Sequence, residues 1–300
     1  MLDNISVAIV IINWKKYDFT YKCINSVLNS SFKNFKIILV DNQYNKDELY
    51  ELSRNKKIHI IKNKINHGFA KANNQGIKYA LKNKYDYIML LNNDTLIKND
   101  LLKILIKHSN TLNQKIIQPL ILNYDGTKIW NAGGTINNFF GTFQTYKKGE
   151  NFKNFKSNRH FTDWFTGCCV FIKSEIFNEV GYFDERFFAY YEDVDFSIRL
   201  KANGYSVGMM NDSYLQHFES ASSKSIYQNE GNLSPYVHYL NIRNHIFLLK
   251  KHSKSFNTIG VLLYQLIKIL SYLIYFLIRF RFNKFKMVLK GFIDAINFKK

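Results

Sequence analysis

The sequence predicts an α/β fold with a mostly parallel, doubly wound sheet, and three observations support this prediction. First, short apolar runs alternate with segments of helical spacing between Val7 and Ser109. Second, the apolar run 87–91 has polar residues on both sides, which is typical of a strand buried on both faces. Third, the chain has 300 residues and 46% hydrophobic residues, enough for a large packed domain with an appendage.

The predicted strands of the first half each end in polar side chains. Strands are predicted at 7–12, 37–40, 57–61, 87–91 and 116–122. The polar residues that follow the first, second and fourth of them are Asn13; Asp41 and Asn42; and Asn92, Asn93 and Asp94. Because open α/β sheets bind ligands at the carboxyl ends of their parallel strands, we expect a ligand site among these residues.

Two carboxylates stand out at these strand ends. Asp94 is suited to hold a divalent cation against a diphosphate, because Mg²⁺ and Mn²⁺ prefer oxygen ligands. The alternative is that 92–94 caps the helix that begins near Asp100. Asp41 and Asn42 offer acceptors for a nucleobase or ribose, or they are ordinary loop residues.

The sequence lacks the two common glycine-rich phosphate loops. Neither G-x-G-x-x-G nor G-x-x-x-x-G-K-[ST] occurs, which disfavours dinucleotide-binding folds and P-loop NTPases. Instead, Gly68 lets the chain turn into a helix whose amino end can face a phosphate, with the amides of Asn73 and Asn74 on its first turns. This segment is a second predicted part of the ligand site.

Glu192 and Asp193 open a predicted helix that Gly204 stops. Crowded carboxylates raise the proton affinity of at least one of them, which suits a general base for a hydroxyl group. Asp193 is the candidate base, and helix capping is the alternative for the pair. Asp195 and Arg199, four residues apart, are expected to pair with each other.

Six segments in order resemble the signature of family 2 glycosyltransferases, specifically the rhamnosyltransferase-like branch. They are 40–42, 66–70, 90–95, 163–172, 180–188 and 191–195, and the match runs from about Val7 to Asn244. The resemblance implies a GT-A fold with a nucleotide-binding half, an acceptor-side subregion and C-terminal helices. It also implies an inverting single displacement with Asp193 as the base beside Glu192.

The resemblance carries further site residues. It implies nucleotide-sugar contacts from Asn13, Asp41, Asn42, Gly68, Phe69, Asn73, Asn74, Asn92, Asn93 and Arg243. It places Trp164 and Gly167 on the acceptor side. His217, ahead of the Ser-rich segment 219–222, would complete a Mn²⁺ or Mg²⁺ site with Asp94. The chain departs from the pattern at Asn92, where many relatives carry the first acid of an Asp-x-Asp motif, so the metal dependence is left open.

The C-terminal region differs in amino-acid composition from the rest of the chain. We predict a glycosyltransferase domain at 1–225 and a helical, basic region at 226–300. The stretch 259–278 is apolar with basic flanks, which favours a helix lying in an anionic membrane interface. Packing on the catalytic domain or on a second copy in a homodimer is the alternative. The net charge of +19 also favours phosphate-rich partners or an anionic surface.

These observations predict a glycosyltransferase that moves a sugar, with rhamnose as one candidate, from a nucleoside diphosphate to a glycan or lipid-linked glycan in surface polysaccharide synthesis. A sugar nucleotidyltransferase is the first alternative, although 13–16 is a poor phosphate loop. A basic nucleic-acid-binding protein is disfavoured, because the cations are not interleaved with aromatics in one module. Three cysteines without a disulfide pattern, and no secretory signal at 1–6, favour the cytoplasm, at the inner face of the cell membrane.

Overall fold

The protein is described here by a computed structural model, which describes residues 4–157, 159–218 and 233–298. Its strands are β1 (Val7–Asn13), β2 (Phe35–Asn42), β3 (Ile58–Asn63), β4 (Tyr87–Asn92), β5 (Thr95–Ile97), β6 (Ile116–Asn123), β7 (Ile129–Asn131), β8 (Gly134–Asn137), β9 (Thr142–Thr145), β10 (Phe161–Thr162), β11 (Cys169–Lys173) and β12 (Val207–His217). Its α-helices are α1 (Tyr17–Leu28), α2 (Tyr50–Ser53), α3 (Gly68–Lys82), α4 (Leu101–Thr111), α5 (Ile176–Val180), α6 (Glu192–Ala202), α7 (Pro235–Lys251), α8 (Thr258–Ile278) and α9 (Phe282–Asn297).

The predicted α/β fold is confirmed, and its main sheet has the order β10-β12-β6-β11-β4-β1-β2-β3. Strands β3, β2, β1 and β4 are parallel to one another, and β6 is parallel to β12. Strand β11 lies between β4 and β6 and is antiparallel to both, and the short strands β5, β7 and β10 pair antiparallel with β12, β6 and β12. The carboxyl ends of β1, β2, β3, β4, β6 and β12 therefore lie along one edge of the sheet, together with the amino end of β11.

The core forms on both faces of this sheet because alternate residues of each strand point to opposite sides. On one face Ile9, Ile37 and Met89 pack with Cys23 and Leu105, which belong to α1 and α4. The opposite face is built in the same way with α3 and α6; among its members are Ala8, Val10, Ile38, Leu90, Ala72 and Phe196. Each buried aliphatic side chain stabilises the fold by about 1.5–3 kcal/mol.

The cysteines belong to this interior. Cys23, Cys168 and Cys169 are all buried and carry free thiols. Cys23 lies on α1 and is fully buried, so it is a core residue.

The described chain divides into two compact units. The first comprises 4–135, 145–157, 159–188 and 192–218, and the second comprises 136–144, 189–191 and 233–298. In the second unit α7 begins at a cap in which the Ser234 hydroxyl accepts from Val237 N, with Pro235 at the first helical position. The helices pack through Ile242, Ile269, Phe276 and Val288. The predicted boundary at 225/226 and the Ser-rich segment 219–222 lie outside the described residues.

Candidate active site

The polar residues predicted to line the ligand edge do lie at the carboxyl ends of neighbouring strands. Asn13 ends β1 and is paired in register with Asp41 at the end of β2. Asn92 ends β4, and His217 ends β12. All of these strands point the same way, so their last residues share one edge of the sheet.

A buried network joins three of the predicted residues. The Asn13 amide donates to Asp41 Oδ1 at 2.7 Å, and the Asn93 amide donates to Asn13 Oδ1 at 3.3 Å. Asn13 and Asp41 are fully buried. Burial raises the pKa of the Asp41 carboxyl above its ordinary value, while hydrogen bonds from Asn13, Asn45 and Tyr17 oppose the shift. The network fixes the direction in which each polar group points.

A cavity of about 450 Å³ adjoins Asp41. Its lining residues are Lys15, Tyr17, Gln43, Tyr44, Asn45 and Lys46. The Tyr17 hydroxyl donates to Asp41 Oδ2 at 3.2 Å, and burial together with the Asp41 charge raises the pKa of Tyr17 to about 12. The tyrosines and the lysine ammonium groups suit a planar, anionic ligand. Sequence reasoning did not identify Tyr17 or Tyr44 for this role, since tyrosine spacing alone carries no such signal.

Three predicted nucleotide-sugar residues instead use their amides inside the protein. The Asn42 amide donates to Asn66 Oδ1 and Gly68 O, and the Asn73 amide donates to Phe69 O. Asn74 accepts from Phe183 N and donates to Phe183 O. All three are at most 2% exposed. This differs from the predicted ligand contacts, because a buried amide must satisfy its hydrogen bonds and here backbone groups do so.

The amino end of α3 is also closed by the protein. The Phe188 carbonyl accepts from Phe69 N at 2.6 Å and from Ala70 N at 3.2 Å. Gly68 has φ +83°, and an added Cβ would lie 2.6 Å from Phe188 O. Two of the N–H groups that we expected to face a phosphate are therefore occupied. Phe188 was missed, since nothing in its local sequence reveals a carbonyl that caps a distant helix.

Gly167, Phe69 and Asp193 meet at one point of the site. Gly167 N donates to Asp193 Oδ2 at 2.9 Å. A Cβ on Gly167 would lie 2.9 Å from the Phe69 ring, so the glycine permits close approach of the loop before β11. The Trp164 ring covers Gly134, where a Cβ would approach to 2.0 Å, and its Nε1 donates to Thr135 O at 3.4 Å.

The two carboxylates at the start of α6 have different environments. Glu192 is 4% exposed and its Oε2 is buried without a hydrogen-bond partner among the described residues. Burial, and then the neighbouring Asp193 charge, raises the pKa of Glu192 well above its ordinary value. Burial also raises the pKa of Asp193, against the opposing N–H groups of Gly167 and Val194. Desolvation, more than the crowding that we expected, is the larger cause.

Asp195 does not belong to this pair. It is fully buried and accepts from Arg199 Nε at 2.9 Å, which confirms the predicted ion pair. The Arg199 guanidinium also donates to Val180 O and Tyr182 O, so it holds the loop after α5 against α6.

The β4–β11 pair brings Asp94 and Asp193 to the same edge of the sheet. Asn92 N, at the end of β4, donates to Cys168 O at 2.9 Å. Gly167, one residue before Cys168, donates to Asp193 as described. Two acidic residues that are remote in sequence therefore flank one strand pair.

Asp94 and His217 form the candidate cation site. His217 Nε2 lies 3.1 Å from Asp94 Oδ1, and both side chains are less than 10% exposed. Phe218 N donates to Asp94 O at 2.9 Å, which holds the two segments together. Among 4–157, 159–218 and 233–298 no group of three or more His, Cys, Asp or Glu side chains is placed to hold a metal. A two-residue donor set still fits a cation whose other ligands are diphosphate oxygens and water.

Arg243 lies on α7, in the second unit. Its Nε donates to Asn244 Oδ1 at 2.8 Å, and its guanidinium lies 5.4 Å from the Tyr239 ring centroid and 5.5 Å from that of Phe298. Its predicted contact with a nucleotide sugar stays a prediction.

Comparison with known proteins adds family information. The model of the family "Glycosyl transferase family 2" matches residues 6–181, more than half of the chain. Two curated relatives are a low-salt glycan biosynthesis hexosyltransferase, Agl10, of Haloferax volcanii and a dTDP-rhamnosyl transferase, RfbF, of Shigella flexneri. The first is 29% identical over 69% of this chain and 65% of the relative, slightly under two thirds of its length. The second is 27% identical over 84% of this chain and 82% of the relative.

Among solved structures, GalNAc-T7 with UDP, GalNAc and Mn²⁺ superposes with a TM-score of 0.62. The identity is 15%, and the match covers 82% of this chain and 48% of that one. At this identity the likeness concerns the fold, which is of the GT-A type.

Proposed function

Because the chain belongs to glycosyl transferase family 2, we propose that it transfers a sugar from a nucleoside diphosphate donor to a hydroxyl group of a glycan or lipid-linked glycan. The observation that carries this proposal is the convergence of Asn13, Asp41, Asp94 and Asp193 on one edge of the sheet. Rhamnose is our first candidate sugar, since one relative, which matches 84% of this chain, is a dTDP-rhamnosyl transferase. Surface polysaccharide synthesis is the proposed setting.

The cavity beside Asp41 is the proposed nucleoside site. The Asp41 carboxylate is fully buried and positions two lining residues of the cavity, because its Oδ2 accepts from the Tyr17 hydroxyl and from Asn45 N. Asn13 fixes the orientation of this carboxylate through the 2.7 Å hydrogen bond. Lys15 and Lys46 add positive charge for the diphosphate. With the nucleoside bound in this cavity, the diphosphate leaving group is proposed to lie near Asp94.

Asp193 is the proposed general base for an inverting displacement. Its carboxylate takes the proton of the acceptor hydroxyl while that oxygen bonds to the anomeric carbon and the bond from this carbon to the diphosphate breaks. The Gly167 N–H orients the carboxylate through Oδ2, and burial gives it a higher proton affinity than a solvated aspartate. Glu192, the preceding residue, is buried.

A divalent cation, Mn²⁺ or Mg²⁺, is proposed to be held by Asp94 and His217. When bound, it would neutralise charge on the departing diphosphate. The imidazole nitrogen at 3.1 Å from the Asp94 carboxylate favours Mn²⁺ of the two ions.

The decisive experiment is turnover of a panel of nucleotide sugars, with dTDP-rhamnose first, with and without Mn²⁺. A synthetic N-acetylglucosaminyl-diphospho-lipid serves as the acceptor, and release of the nucleoside diphosphate is measured. We expect turnover of one donor and a product whose anomeric configuration is inverted by NMR. A retained configuration would exclude the single displacement, and no turnover of any donor would contradict the proposal.

We also propose that α8 lies in the cytoplasmic surface of the cell membrane. The helix has 21 residues and mean hydropathy 2.0, so by length and composition alone it is able to cross a membrane. Its exposed face is apolar and its protein-facing side is partly polar. The apolar residues at least 48% exposed are Ile259, Leu262, Leu263, Leu266, Ile267, Leu270, Ile274, Leu277 and Ile278.

The inward side of α8 argues for a position along the surface. Lys268 Nζ lies 2.8 Å from His245 Nδ1, and Gln265 Nε2 lies 3.2 Å from the same atom. These polar contacts hold α8 against α7, so only the outer face is available to lipid. A helix with one apolar face and basic residues such as Arg279 and Arg281 at its end is typical of interfacial attachment.

Sedimentation with lipid vesicles tests this attachment. Leu266→Gln, combined with Leu270→Gln, is expected to reduce the bound fraction at least several-fold, because each removes about 1.5–3 kcal/mol of apolar burial. Leu112→Gln is the matched control, since Leu112 is 57% exposed on the end of α4. Equal retention of both variants would contradict the proposal, and a homodimer in light scattering would favour a second copy as the partner of this face.

A further inference from the structure

The chain takes an unusual path between the carbonyl that caps α3 and the carboxylates of α6. Phe188, Tyr190 and Tyr191 have φ values of +64°, +71° and +72°. Each non-glycine residue in this left-handed region costs about 1–3 kcal/mol, and such residues persist only when their surroundings hold them. Glu192 and Asp193 follow Tyr191 directly, so the bend leads straight into the proposed base.

Asn244 of α7 holds the backbone of this bend. Its amide donates to Ala189 O at 2.7 Å and to Tyr190 O at 2.9 Å, which uses both N–H groups. Its Oδ1 accepts from Arg243 Nε at 2.8 Å, so the orientation of the amide is fixed. The side chain is fully buried. Two successive carbonyls are thus fixed by one side chain.

His245, the next residue, holds the Tyr191 side chain. The two rings stack with centroids 5.1 Å apart and an interplanar angle of 6°. His245 Nε2 lies 2.7 Å from Gly141 O and therefore carries the proton, since a carbonyl only accepts.

The other ring nitrogen of His245 is held as well. Nδ1 is the acceptor for Lys268 and Gln265. Burial and the Lys268 charge lower the pKa of His245 to about 3, so the ring is neutral. The remaining groups that face the ring, Phe143 and Tyr264, are aromatic.

We propose that Asn244 and His245 are positioning residues for the transfer reaction. By holding Ala189–Tyr191 in its left-handed bend, they set the point at which the chain enters α6 and so the placement of Asp193. This inference rests on the proposed role of Asp193 as the base. The two residues act through Tyr191 and the peptide bond to Glu192, and misplacement of a base by about 1 Å is enough to cost on the order of 10²-fold in rate.

The first test is Asn244→Ala, assayed with dTDP-rhamnose and the N-acetylglucosaminyl-diphospho-lipid. We expect kcat to fall about 10- to 100-fold while the KM for the donor changes less than about twofold. The acidic limb of the pH–rate profile is expected to move, since the contacts of Asp193 change. Asn241→Ala is the matched control, because Asn241 lies on the same helix and donates only to Val237 O among its described contacts.

A second variant separates positioning from stability. Tyr191→Gly relieves the strain at φ +72°, because glycine adopts this conformation readily, and it removes the stack on His245. We expect kcat to fall about 10-fold or more while the melting temperature is unchanged or higher. If Asn244→Ala does not fold, this variant still decides the question.

The proposal is overturned if Asn244→Ala and Tyr191→Gly have the same kcat as the control Asn241→Ala and the same acidic limb in the pH–rate profile. It is also overturned if the kcat of a variant falls only in proportion to its folded fraction while its pH–rate profile stays that of the wild type. Failure of the wild-type chain to turn over any nucleotide sugar is a different result, because it removes the proposed function itself.

Discussion

At the scale of single residues, the site depends on how each carboxylate is solvated. Asp193 keeps two backbone N–H donors and partial exposure, whereas Glu192 is 4% exposed and its Oε2 has no partner among the described residues. Two adjacent acids thus acquire different proton affinities from their surroundings alone. Burial raises the pKa of the Glu192 carboxyl well above its ordinary value, whereas the two N–H donors favour the ionised form of Asp193.

Asp193→Asn is expected to lower kcat about 10²- to 10⁴-fold with a small change in stability. The amide keeps an oxygen for the Gly167 N–H but has no basic lone pair for the acceptor proton, and the hydrogen bond lost from Val194 N is offset by removal of a buried charge. Release of nucleoside diphosphate and thermal unfolding measure the two effects. Asp212→Asn, which changes a surface ion pair with His108, is the control, and equal rates for the two variants would exclude Asp193 as the base.

The pH dependence of the reaction is expected to follow the raised pKa of Asp193. The base is active only when deprotonated, so kcat/KM falls as the pH drops through a pKa above the ordinary value of an aspartate. A pH–rate profile between about 4 and 8 measures this limb. An acidic limb at the ordinary aspartate value would contradict the buried environment.

Glu192→Gln is expected to stabilise the fold at neutral pH. A carboxyl whose folded-state pKa is raised binds more protons folded than unfolded, so its contribution to stability is lost as the pH rises through that pKa. The melting temperature should rise by about 2–4 °C for each kcal/mol relieved, at pH 7 and above. Below the ordinary glutamate pKa the two proteins should converge, and a gain that persists there would contradict this cause.

At the scale of elements, hydrogen bonds hold loops and helices that are remote in sequence against one another. The carbonyl of Phe188 caps α3, Asn74 on α3 binds Phe183, and Arg199 on α6 binds Val180 and Tyr182. The segment 180–188 is therefore held against two helices through its backbone groups. Gly68 is essential to this arrangement because it has both a positive φ and no room for a side chain.

Gly68→Ala is expected to destabilise the protein by more than the backbone strain of a positive φ alone. An added Cβ would lie 2.6 Å from Phe188 O, in addition to the roughly 1–2 kcal/mol of a left-handed L-residue. Gly204→Ala is the matched control, since Gly204 has φ +81° and no atom within 4 Å of its added Cβ. Urea denaturation measures the free energy of unfolding of each variant. Gly68→Ala should be less stable than Gly204→Ala by more than about 1 kcal/mol. Equal free energies of unfolding for the two variants would show that Phe188 moves to accommodate the added methyl group, which would contradict this prediction.

At the scale of the whole molecule, charge and the outward apolar face of α8 point to the same partner. The net charge of +19 favours anionic surfaces, and the face of α8 favours lipid. The two contributions respond differently to salt, since screening weakens charge attraction and leaves apolar burial intact.

Vesicle binding is therefore expected to have two components. With anionic lipid, the bound fraction should fall as salt rises from about 50 to 500 mM and then level off, because the Debye length shortens to a few ångströms. Zwitterionic vesicles should show the residual level at every salt concentration. Binding that vanishes completely at high salt would exclude insertion of α8.

The sequence by itself predicted the central strands of the sheet, the helices that alternate with them and the polar residues at the strand ends. Apolar runs, caps and glycine stops are local properties, so Asp94 and Asp193 were singled out at a strand end and at a helix start, whereas the family resemblance singled out His217. Local sequence does not say which partner a polar group meets. The tertiary structure decided that Asn42, Asn73 and Asn74 bond within the protein.

The tertiary structure alone also identified Phe188 as the cap of α3, and it alone placed Asn244 and His245 against 189–191. The physical reason is the same in each case. A buried hydrogen-bonding group must be satisfied, and its partner is fixed by packing between segments tens to more than a hundred residues apart.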